Sequence, residues 1–268
     1  MPSSDHELAI AAAGAGAAVV RDRFGTAVER IDKGGGDFAT AADLEAEEAI
    51  VRLLRDARPD DAVVGEDGGR TGGVASGRRW LVDPLCGTLN FAVRNMLVSV
   101  NVALSTGVAA VADPFADEIF WTDGTVARVR HDEVDTPLTP SAESRLIDVN
   151  LDPPFPNRSR FRAARMLLDA GFATLFRPRV VSTTLAVAWV AAGRRAGYVT
   201  DGHVGDSVHF AAGIALCRAA GCVVTGLDGR PLTRGMGGLL IAADAETHAA
   251  LVELVAAQQP AAAGDARG

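Results

Sequence analysis

Three short acidic motifs contain the side chains of this sequence that are best suited to chemistry. They occupy residues 37–47, 65–69 and 80–91, and their carboxylates open or follow predicted regular elements instead of lying in charged runs. Hard cations such as Mg²⁺ take oxygen ligands, commonly one or two protein carboxylates together with a substrate phosphate. The pattern therefore predicts a divalent metal site that binds a phosphorylated ligand.

The third motif also predicts an anion site. Pro84 and Gly87 sharpen the turn that follows Asp83, and the backbone N–H groups of Gly87 and Thr88 then open a helix. Unpaired N–H groups at a helix N-terminus attract phosphate. We expect this turn to hold a phosphate group beside the Asp83 carboxylate.

The elements that must position these residues follow from hydrophobic patterning. Residues 6–22 form an Ala-rich segment that predicts a helix, and Thr40 is suited to cap a second helix that extends to about Arg55. Two short apolar runs, 62–65 and 80–82, are each followed at once by an acid, as expected of buried strands that deliver carboxylates at their ends. Further strands are predicted at 98–104, 108–112 and 118–121.

A polar, Pro-containing segment at 132–145 predicts a boundary between two halves, 1–140 and 141–268, of one compact unit. Beyond it, helices and strands alternate, which favours a layered α/β or α+β fold. The Gly-rich stretch at 65–77 is expected to be a mobile loop. In the second half, strands are predicted at 145–150, 196–200, 221–225 and 238–242, and helices at 158–170, 183–193, 209–220 and 245–257.

The acidic composition of the chain favours a small ligand over nucleic acid or a membrane surface. The 268 residues have a formal net charge of -8 and a pI of about 5.1, so the chain repels nucleic acid and anionic membranes, and a small ligand is the better prediction. The first residues lack the basic start and apolar run of a signal peptide, and no apolar run is long enough to cross a bilayer. Three cysteines without an export signal indicate reduced thiols and a cytoplasmic location.

The motifs, in their order, resemble those of the inositol monophosphatase superfamily, which also contains fructose-1,6-bisphosphatase-like enzymes. The family patterns D-x-V-T-x-x-D, G-E-E and W-x-x-D-P-x-D-G-T-x-N-F correspond to residues 37–43, 65–67 and 80–91. Its late patterns, W-D-x-A-A-G, E-A-G-G and D-x-x-G-x-P, correspond to the segments that end at Gly213, Gly221 and Pro231. The resemblance covers nearly the whole chain and implies an αβαβα sandwich.

The resemblance also implies metal ligands. Glu66 and Asp83 match metal-binding carboxylates, with Asp83 in the position that bridges two ions, and the carbonyl of Leu85 matches a backbone ligand. Family enzymes use two or three Mg²⁺ ions and often form homodimers. A small phosphorylated substrate, Mg²⁺ and a second copy of the chain are therefore the implied partners.

Catalytic roles are implied in the same way. Asp43 and Thr88 match the pair that orients or deprotonates the attacking water. Glu66 is also expected to be a catalytic residue. Gly87 and Thr88 match the backbone amides that hold phosphate.

The sequence departs from the family pattern at two positions, and in the family the acids at both positions bind the same ion, the second metal ion. The second acid of the D-P-x-D-G-T pattern is Cys86 here, and the late acid is His209. The register of the second is open, since counting from the preceding segment gives Ser207, with Asp206 in the gap. We favour loss of the second ion, because Cys86 also fits a buried apolar position. The alternative is a retuned site for Mn²⁺ or Zn²⁺, since sulfur, nitrogen and oxygen ligands suit a borderline ion.

The substrate side departs further from the inositol phosphate enzymes of the family. Ser182 and Thr183 stand where those enzymes have Gly-Thr/Ser-Ala, and Gly202 or Thr200 stands in the place of an acid, with Asp201 near it. Asp206, in the gap before His209, is also predicted to lie on the substrate side. We expect a phosphatase of a sugar, cyclitol or nucleotide phosphate. The alternatives are a catalytically weak homologue that binds a phosphorylated ligand and a non-hydrolytic biosynthetic enzyme.

Overall fold

The computed structural model of the chain describes residues 4–26, 30–34, 37–73, 76–151, 163–204, 207–232 and 237–258. The helices of these residues are α1 (Asp5–Arg23), α2 (Ala41–Ala57), α3 (Thr88–Ala92), α4 (Ala163–Met166), α5 (Ala170–Leu175), α6 (Leu185–Ala191), α7 (Val208–Ala220) and α8 (Ala245–Ala257).

The strands belong to three sheets. A two-stranded hairpin consists of β1 (Arg30–Gly34) and β2 (Asp37–Thr40). The first large sheet, in the order β10-β9-β8-β7-β6-β5-β3-β4, contains β3 (Ala62–Gly65), β4 (Arg70–Gly72), β5 (Arg79–Cys86), β6 (Ser99–Leu104), β7 (Ala109–Asp113), β8 (Glu118–Thr122), β9 (Ala127–His131) and β10 (Val134–Pro137). The second, in the order β12-β11-β13-β15-β14, contains β11 (Leu146–Asn150), β12 (Arg177–Val180), β13 (Gly197–His203), β14 (Val223–Thr225) and β15 (Gly237–Ala242).

These elements stack in five layers. Helices α1 and α2 pack on one face of the first sheet, and α6 and α7 lie between the first and second sheets. Helices α4, α5 and α8 cover the far face of the second sheet. A layered α/β fold of this kind, predicted as an αβαβα sandwich, buries both faces of each large sheet.

The central core joins the two sheets through helix α7. It contains Val111 and Phe120 of the first sheet, Phe210 of α7, and Tyr198 and Ile241 of the second sheet. All five residues are buried. Because α7 contacts strands of both sheets, the position of its N-terminus relative to the first sheet is set by this packing.

Most predicted elements are confirmed within a residue or two, including both long N-terminal helices and the last helix. The helix predicted at 158–170 is wrong in its described part: α4 and α5 are two short helices, since Asp169 accepts a hydrogen bond from the N–H of Phe172 and starts a new helix. The strand predicted from residue 221 begins at Val223, because Gly221, at φ 90°, ends α7 in the left-handed region.

Five short strands of four or five residues were not predicted, namely β1, β2, β9, β10 and β12. The expected loop at 65–77 contains one further strand, β4, which pairs antiparallel with β3. Within the described ranges, no helix combines the length and apolarity that a membrane span requires.

Candidate metal and phosphate site

Two neighbouring strands and one helix bring the predicted ligands together. Strand β3 pairs in parallel with β5, so that Gly65 lies opposite Val82. Glu66, which follows β3, and Asp83, near the end of β5, therefore leave the same edge of the sheet. The pairing of β5 with β6 is irregular between Asp83 and Cys86, and this irregularity begins the turn toward α3.

Asp83 lies at the centre of the cluster and is fully buried. Its Oδ2 atom is 2.8 Å from Nδ1 of His209 and accepts a hydrogen bond from Nδ2 of Asn101 at 3.3 Å. Its Oδ1 atom has no hydrogen-bond partner among the described residues. Burial alone would raise the pKa of Asp83, but the neighbouring His209 holds it below its ordinary value. A buried, charged oxygen without a donor is costly unless a cation binds it, so the residues present fit a metal ion here.

Glu66 lies beside Asp83, and both carboxylates approach the same ring nitrogen, with Glu66 Oε2 at 3.9 Å from His209 Nδ1. Burial and, after it, the charge of Asp83 raise the pKa of Glu66 to about 8. Two carboxylates this close repel one another. A divalent cation between them would relieve that repulsion.

Lys33 contributes a contact that the sequence analysis missed. Its Nζ atom is 3.1 Å from Glu66 Oε1 and forms an ion pair with Asp67. Burial alone would lower the pKa of Lys33, but these carboxylates raise it above its ordinary value. Lys33 is the only lysine in the sequence, and that isolation among many arginines is a signal that could have identified it.

His209 and Cys86 complete the cluster around Asp83. His209 lies in the first turn of α7, after the N-cap Ser207, so the structure brings His209 and not Ser207 to Asp83. Ligand atoms of Asp83, Cys86 and His209 lie within 4.8 Å of one another. Burial lowers the pKa of His209, but the charge of Asp83 outweighs it and raises the value to about 9. Burial also raises the pKa of the Cys86 thiol well above its ordinary range.

Asp43 and Thr88 form the predicted pair. Thr88 Oγ1 lies 3.0 Å from Asp43 Oδ1 and 3.2 Å from the carbonyl oxygen of Leu85. The other oxygen, Oδ2, accepts hydrogen bonds from the N–H and hydroxyl of Thr40 at 2.8 and 2.5 Å, which closes a capping box at the start of α2. Burial raises the pKa of Asp43 to about 6 against these hydrogen bonds.

Gly87 allows the turn into α3. Its φ of 103° lies in the left-handed region, and an added Cβ atom would lie 2.9 Å from the carbonyl oxygen of Leu97. Asn90 of α3 donates from Nδ2 to the carbonyls of Leu97 and Ser182 at 2.8 and 2.7 Å. The turn is therefore fixed to both halves of the chain.

Glu47 holds the loop that carries Glu66, and this role was also missed from the sequence. Its carboxylate accepts hydrogen bonds from the N–H groups of Asp67 and Gly68 at 2.9 and 2.7 Å. An added Cβ atom at Gly65 or Gly68 would lie 2.3 Å from Glu47 Oε1. The close approach explains why glycines flank the second acidic motif.

The predicted substrate-side residues are not all brought to the site. The carbonyl of Ser182 contacts Asn90, and Thr183 is buried, with its hydroxyl accepting a hydrogen bond from the N–H of Leu185 at 3.2 Å. Asp201 is also buried and accepts a hydrogen bond from the N–H of Ala163 at 3.2 Å, so it supports α4. Asp206 lies outside the described residues.

The chain is similar to a known protein family and to several proteins whose sequences are known. A sequence model of the inositol monophosphatase family matches residues 2–260. An inositol-1-monophosphatase from Mesorhizobium japonicum is 32% identical over 209 residues, covering 74% of this chain and 75% of that protein. The Nus factor SuhB of Escherichia coli is 32% identical over 213 residues, covering 76% of this chain and 77% of that protein.

Solved structures share the layered architecture. The extragenic suppressor protein suhB from Bartonella henselae is similar with a TM-score of 0.83 at 25% identity, covering 94% of this chain and 98% of that one. An inositol monophosphatase from Anabaena (Nostoc) sp. PCC 7120 has a TM-score of 0.75 at 25% identity and a coverage of 95% of both chains. The order of layers is thus shared over almost the full length.

Proposed function

Because the chain belongs to the inositol monophosphatase family, we propose that it is a phosphoric monoester hydrolase that releases phosphate from a small metabolite such as a sugar, cyclitol or nucleotide phosphate. Family membership supports metal-dependent phosphatase chemistry, and enzymes of this family depend on Mg²⁺ in general. The proposal also takes a homodimer from the family resemblance, and a cytoplasmic location from the three cysteines, which were interpreted as reduced thiols.

The observation that carries the proposal is the buried, unpartnered Oδ1 of Asp83 beside the Glu66 carboxylate. This oxygen has no hydrogen-bond donor among the described residues, although the side chain is fully buried. A catalytically idle surface acid would be solvated instead. Glu66, Asp83 and the carbonyl of Leu85 are the groups that would hold Mg²⁺, since all three offer hard oxygen ligands.

The chain's own residues supply the remaining parts of a hydrolytic mechanism. A bound Mg²⁺ would polarise the phosphate and make a water more acidic. Thr88 would orient the attacking water, and Asp43, held by Thr40 and Thr88, would receive its proton. A base whose pKa lies near the working pH is effective, and the pKa of about 6 for Asp43 meets that condition. The N–H groups of Gly87 and Thr88 would donate to the phosphate oxygens.

The cations Lys33 and His209 also favour an anionic substrate. The chain has a net charge of -8, which repels phosphate over long distances. Lys33 and His209 lie within 4 Å of the carboxylates of Glu66 and Asp83 respectively, and they offset part of the local negative charge. This compensation supports binding of a phosphate at an otherwise acidic edge.

The test is a screen of phosphate release from sugar phosphates, nucleoside monophosphates and adenosine bisphosphates, each with Mg²⁺, Mn²⁺ or Zn²⁺. We expect metal-dependent release from at least one class, and a loss of at least about 100-fold in kcat/KM for Asp83→Asn. The same change at Asp132, which lies on the exposed β9–β10 turn, is the control. Full activity of Asp83→Asn, or no release from any class with any ion, would refute the proposal.

A second candidate is a homologue that binds a phosphorylated ligand without hydrolysing it. The contact that favours it is the 2.8 Å pair between His209 and Asp83, because a protonated imidazole at that oxygen competes with a metal ion. The relative from Escherichia coli is named a Nus factor, and this name is compatible with a non-enzymatic role. Tight binding of substrates in calorimetry, without phosphate release in the screen, would support this candidate.

A further inference from the structure

The donor atoms around the second ion position do not fit Mg²⁺. Family enzymes place two additional carboxylates there, whereas this chain supplies the thiol of Cys86 and the imidazole of His209. Mg²⁺ is a hard ion that requires an octahedron of oxygen ligands, and neither sulfur nor an imidazole suits it. The same atoms are good ligands for a borderline divalent ion.

The three donor atoms are already assembled. Asp83 and Cys86 leave the end of β5, and His209 approaches from the first turn of α7. Their ligand atoms lie within 4.8 Å of one another, and Asp83 Oδ2 is 2.8 Å from His209 Nδ1. Ligands of a tetrahedral Zn²⁺ ion are roughly 3 to 4 Å apart. Only a small adjustment would therefore admit an ion, with a fourth position left for water or phosphate.

A set of hydrogen bonds outside the ligands supports the same geometry. Asn101 donates from Nδ2 to Asp83 Oδ2 at 3.3 Å and to the hydroxyl of Thr184 at 2.9 Å. The N–H of Thr184 in turn donates to Cys86 Sγ at 3.4 Å. One buried amide thus contacts Asp83 directly and is linked to Cys86 through Thr184, and protein metal sites use such outer hydrogen bonds to fix their ligands.

We infer that Asp83, Cys86 and His209 form a site for a borderline divalent ion such as Zn²⁺ at the second position. Binding would release the thiol proton of Cys86 and one ring proton of the His209 cation to solvent, which would leave a thiolate and a neutral imidazole as ligands. This inference deepens the proposed function, because it identifies the second ion of the same site. The role of this ion in hydrolysis rests on the proposed function. The binding of the ion does not, since it follows from the three ligands themselves.

The experiment uses Co²⁺ as a spectroscopic substitute for Zn²⁺, with the full-length protein freed of metal by chelation. We expect one Co²⁺ per chain to show a sulfur-to-cobalt charge-transfer absorption, which Zn²⁺ abolishes by competition. The change Cys86→Ser should remove the absorption and weaken Zn²⁺ binding by about 10-fold to 100-fold. His209→Ala should weaken Zn²⁺ binding by a similar factor. Cys222→Ser and His131→Ala, which alter a cysteine of the core and an exposed histidine, should change neither.

Two results would overturn the inference. The first is the absence of a charge-transfer absorption at saturating Co²⁺, and the second is an absorption that survives Cys86→Ser. Cys86→Ala provides a second variant if Cys86→Ser fails to fold, with far-ultraviolet circular dichroism as the check on folding. The phosphate-release screen with Mg²⁺ is independent of this readout. A phosphatase without the cobalt absorption refutes only the second-ion site, and a cobalt site without phosphate release refutes only the hydrolase.

Discussion

The Asp43 carboxyl combines burial, a fixed orientation and a contact with Thr88, and together these define its expected role as a base. Asp43 is fully buried, and both of its oxygens are hydrogen-bonded. Because burial raises its pKa to about 6, the carboxyl binds a proton at mildly acid pH. A base that holds its proton cannot accept one from water.

Activity should therefore rise with pH through a limb at or below about 6, and Asp43→Asn should remove that limb. We expect the substitution to lower kcat by about 100-fold or more, since general bases contribute about 10² to 10⁴. Steady-state kinetics between pH 4.5 and 8 measure both effects. If Asp43→Asn keeps the rate and the acid limb, another group is the base.

Asp148, which lies in β11 of the second sheet, provides a separate test of pH dependence. Its side chain is fully buried, with Oδ2 at 2.8 Å from Nε of Arg195. Burial raises the pKa of Asp148 from 3.8 to about 6, against the pull of Arg195. The native state then binds the proton more strongly than the unfolded state does. The stability that this group contributes is present below about pH 4 and is lost as the pH rises through 6.

The free energy of unfolding of the wild type, relative to Asp148→Asn, should thus fall by up to about 3 kcal/mol between pH 4 and 7, since one pKa unit corresponds to about 1.4 kcal/mol. Urea unfolding of both proteins at several pH values measures the difference. Asp148→Asn also removes the ion pair with Arg195. This loss shifts the free energy of unfolding by an amount that does not change its dependence on pH. A difference that rises with pH, or stays constant, would contradict the assignment.

At the scale of elements, the close approach of α6 and α7 depends on Gly213. An added Cβ atom at this position would lie 2.6 Å from Cγ1 and 3.0 Å from Cβ of Val187. Val187 is a β-branched residue in a helix, and its side chain has one strongly preferred rotamer. The helix pair therefore has little capacity to absorb an extra methyl group.

We expect Gly213→Ala to destabilise the protein by about 1 to 3 kcal/mol, because overpacking outweighs the gain in helix propensity. Gly14 of α1 is the matched control, since its added Cβ atom would meet only Ile119 Cδ1 at 3.4 Å. Gly14→Ala should stabilise by up to about 1 kcal/mol. Thermal unfolding of the two variants should show shifts in opposite directions, and a shift in the same direction would contradict the packing argument.

At the scale of the whole molecule, the two large sheets share one central core around α7. Phe210 of this helix is fully buried, and its ring lies 6.2 Å from that of Tyr198 in the second sheet. The same core includes Val111 and Phe120 of the first sheet. Because His209 precedes Phe210 in α7, this packing also holds the imidazole at Asp83.

We expect Phe210→Ala to lower the free energy of unfolding by about 3 to 5 kcal/mol. Both halves should lose this stability together, in one unfolding transition. Tryptophan fluorescence, which reports on Trp80 and Trp121 of the first sheet and Trp189 of α6, should change at the same urea concentration as far-ultraviolet circular dichroism. We expect weaker Co²⁺ binding by the folded variant, since α7 positions His209. Two separate transitions would show that the halves are independent domains.

Local sequence chemistry determined much of the fold and part of the site. An Ala-rich segment predicted α1, and the capping residue Thr40 predicted the start of α2, since both signals are local to the segments that they describe. The Pro and Gly residues around Asp83 predicted a strand that turns into a helix, since both residue types restrict or free the backbone locally. The family resemblance predicted Asp43 and Thr88 as a pair, and the structure places Thr88 Oγ1 3.0 Å from Asp43 Oδ1.

Only the tertiary structure decided which distant side chains meet. Lys33 and Glu66 are 33 positions apart, and His209 and Asp83 are 126 apart, so no local pattern sets either distance. The hairpin of β1 and β2 brings Lys33 to the site, and the packing of α7 places His209 beside Asp83. These contacts depend on strand pairing and on side-chain packing between layers, which are properties of the assembled core and not of any single segment.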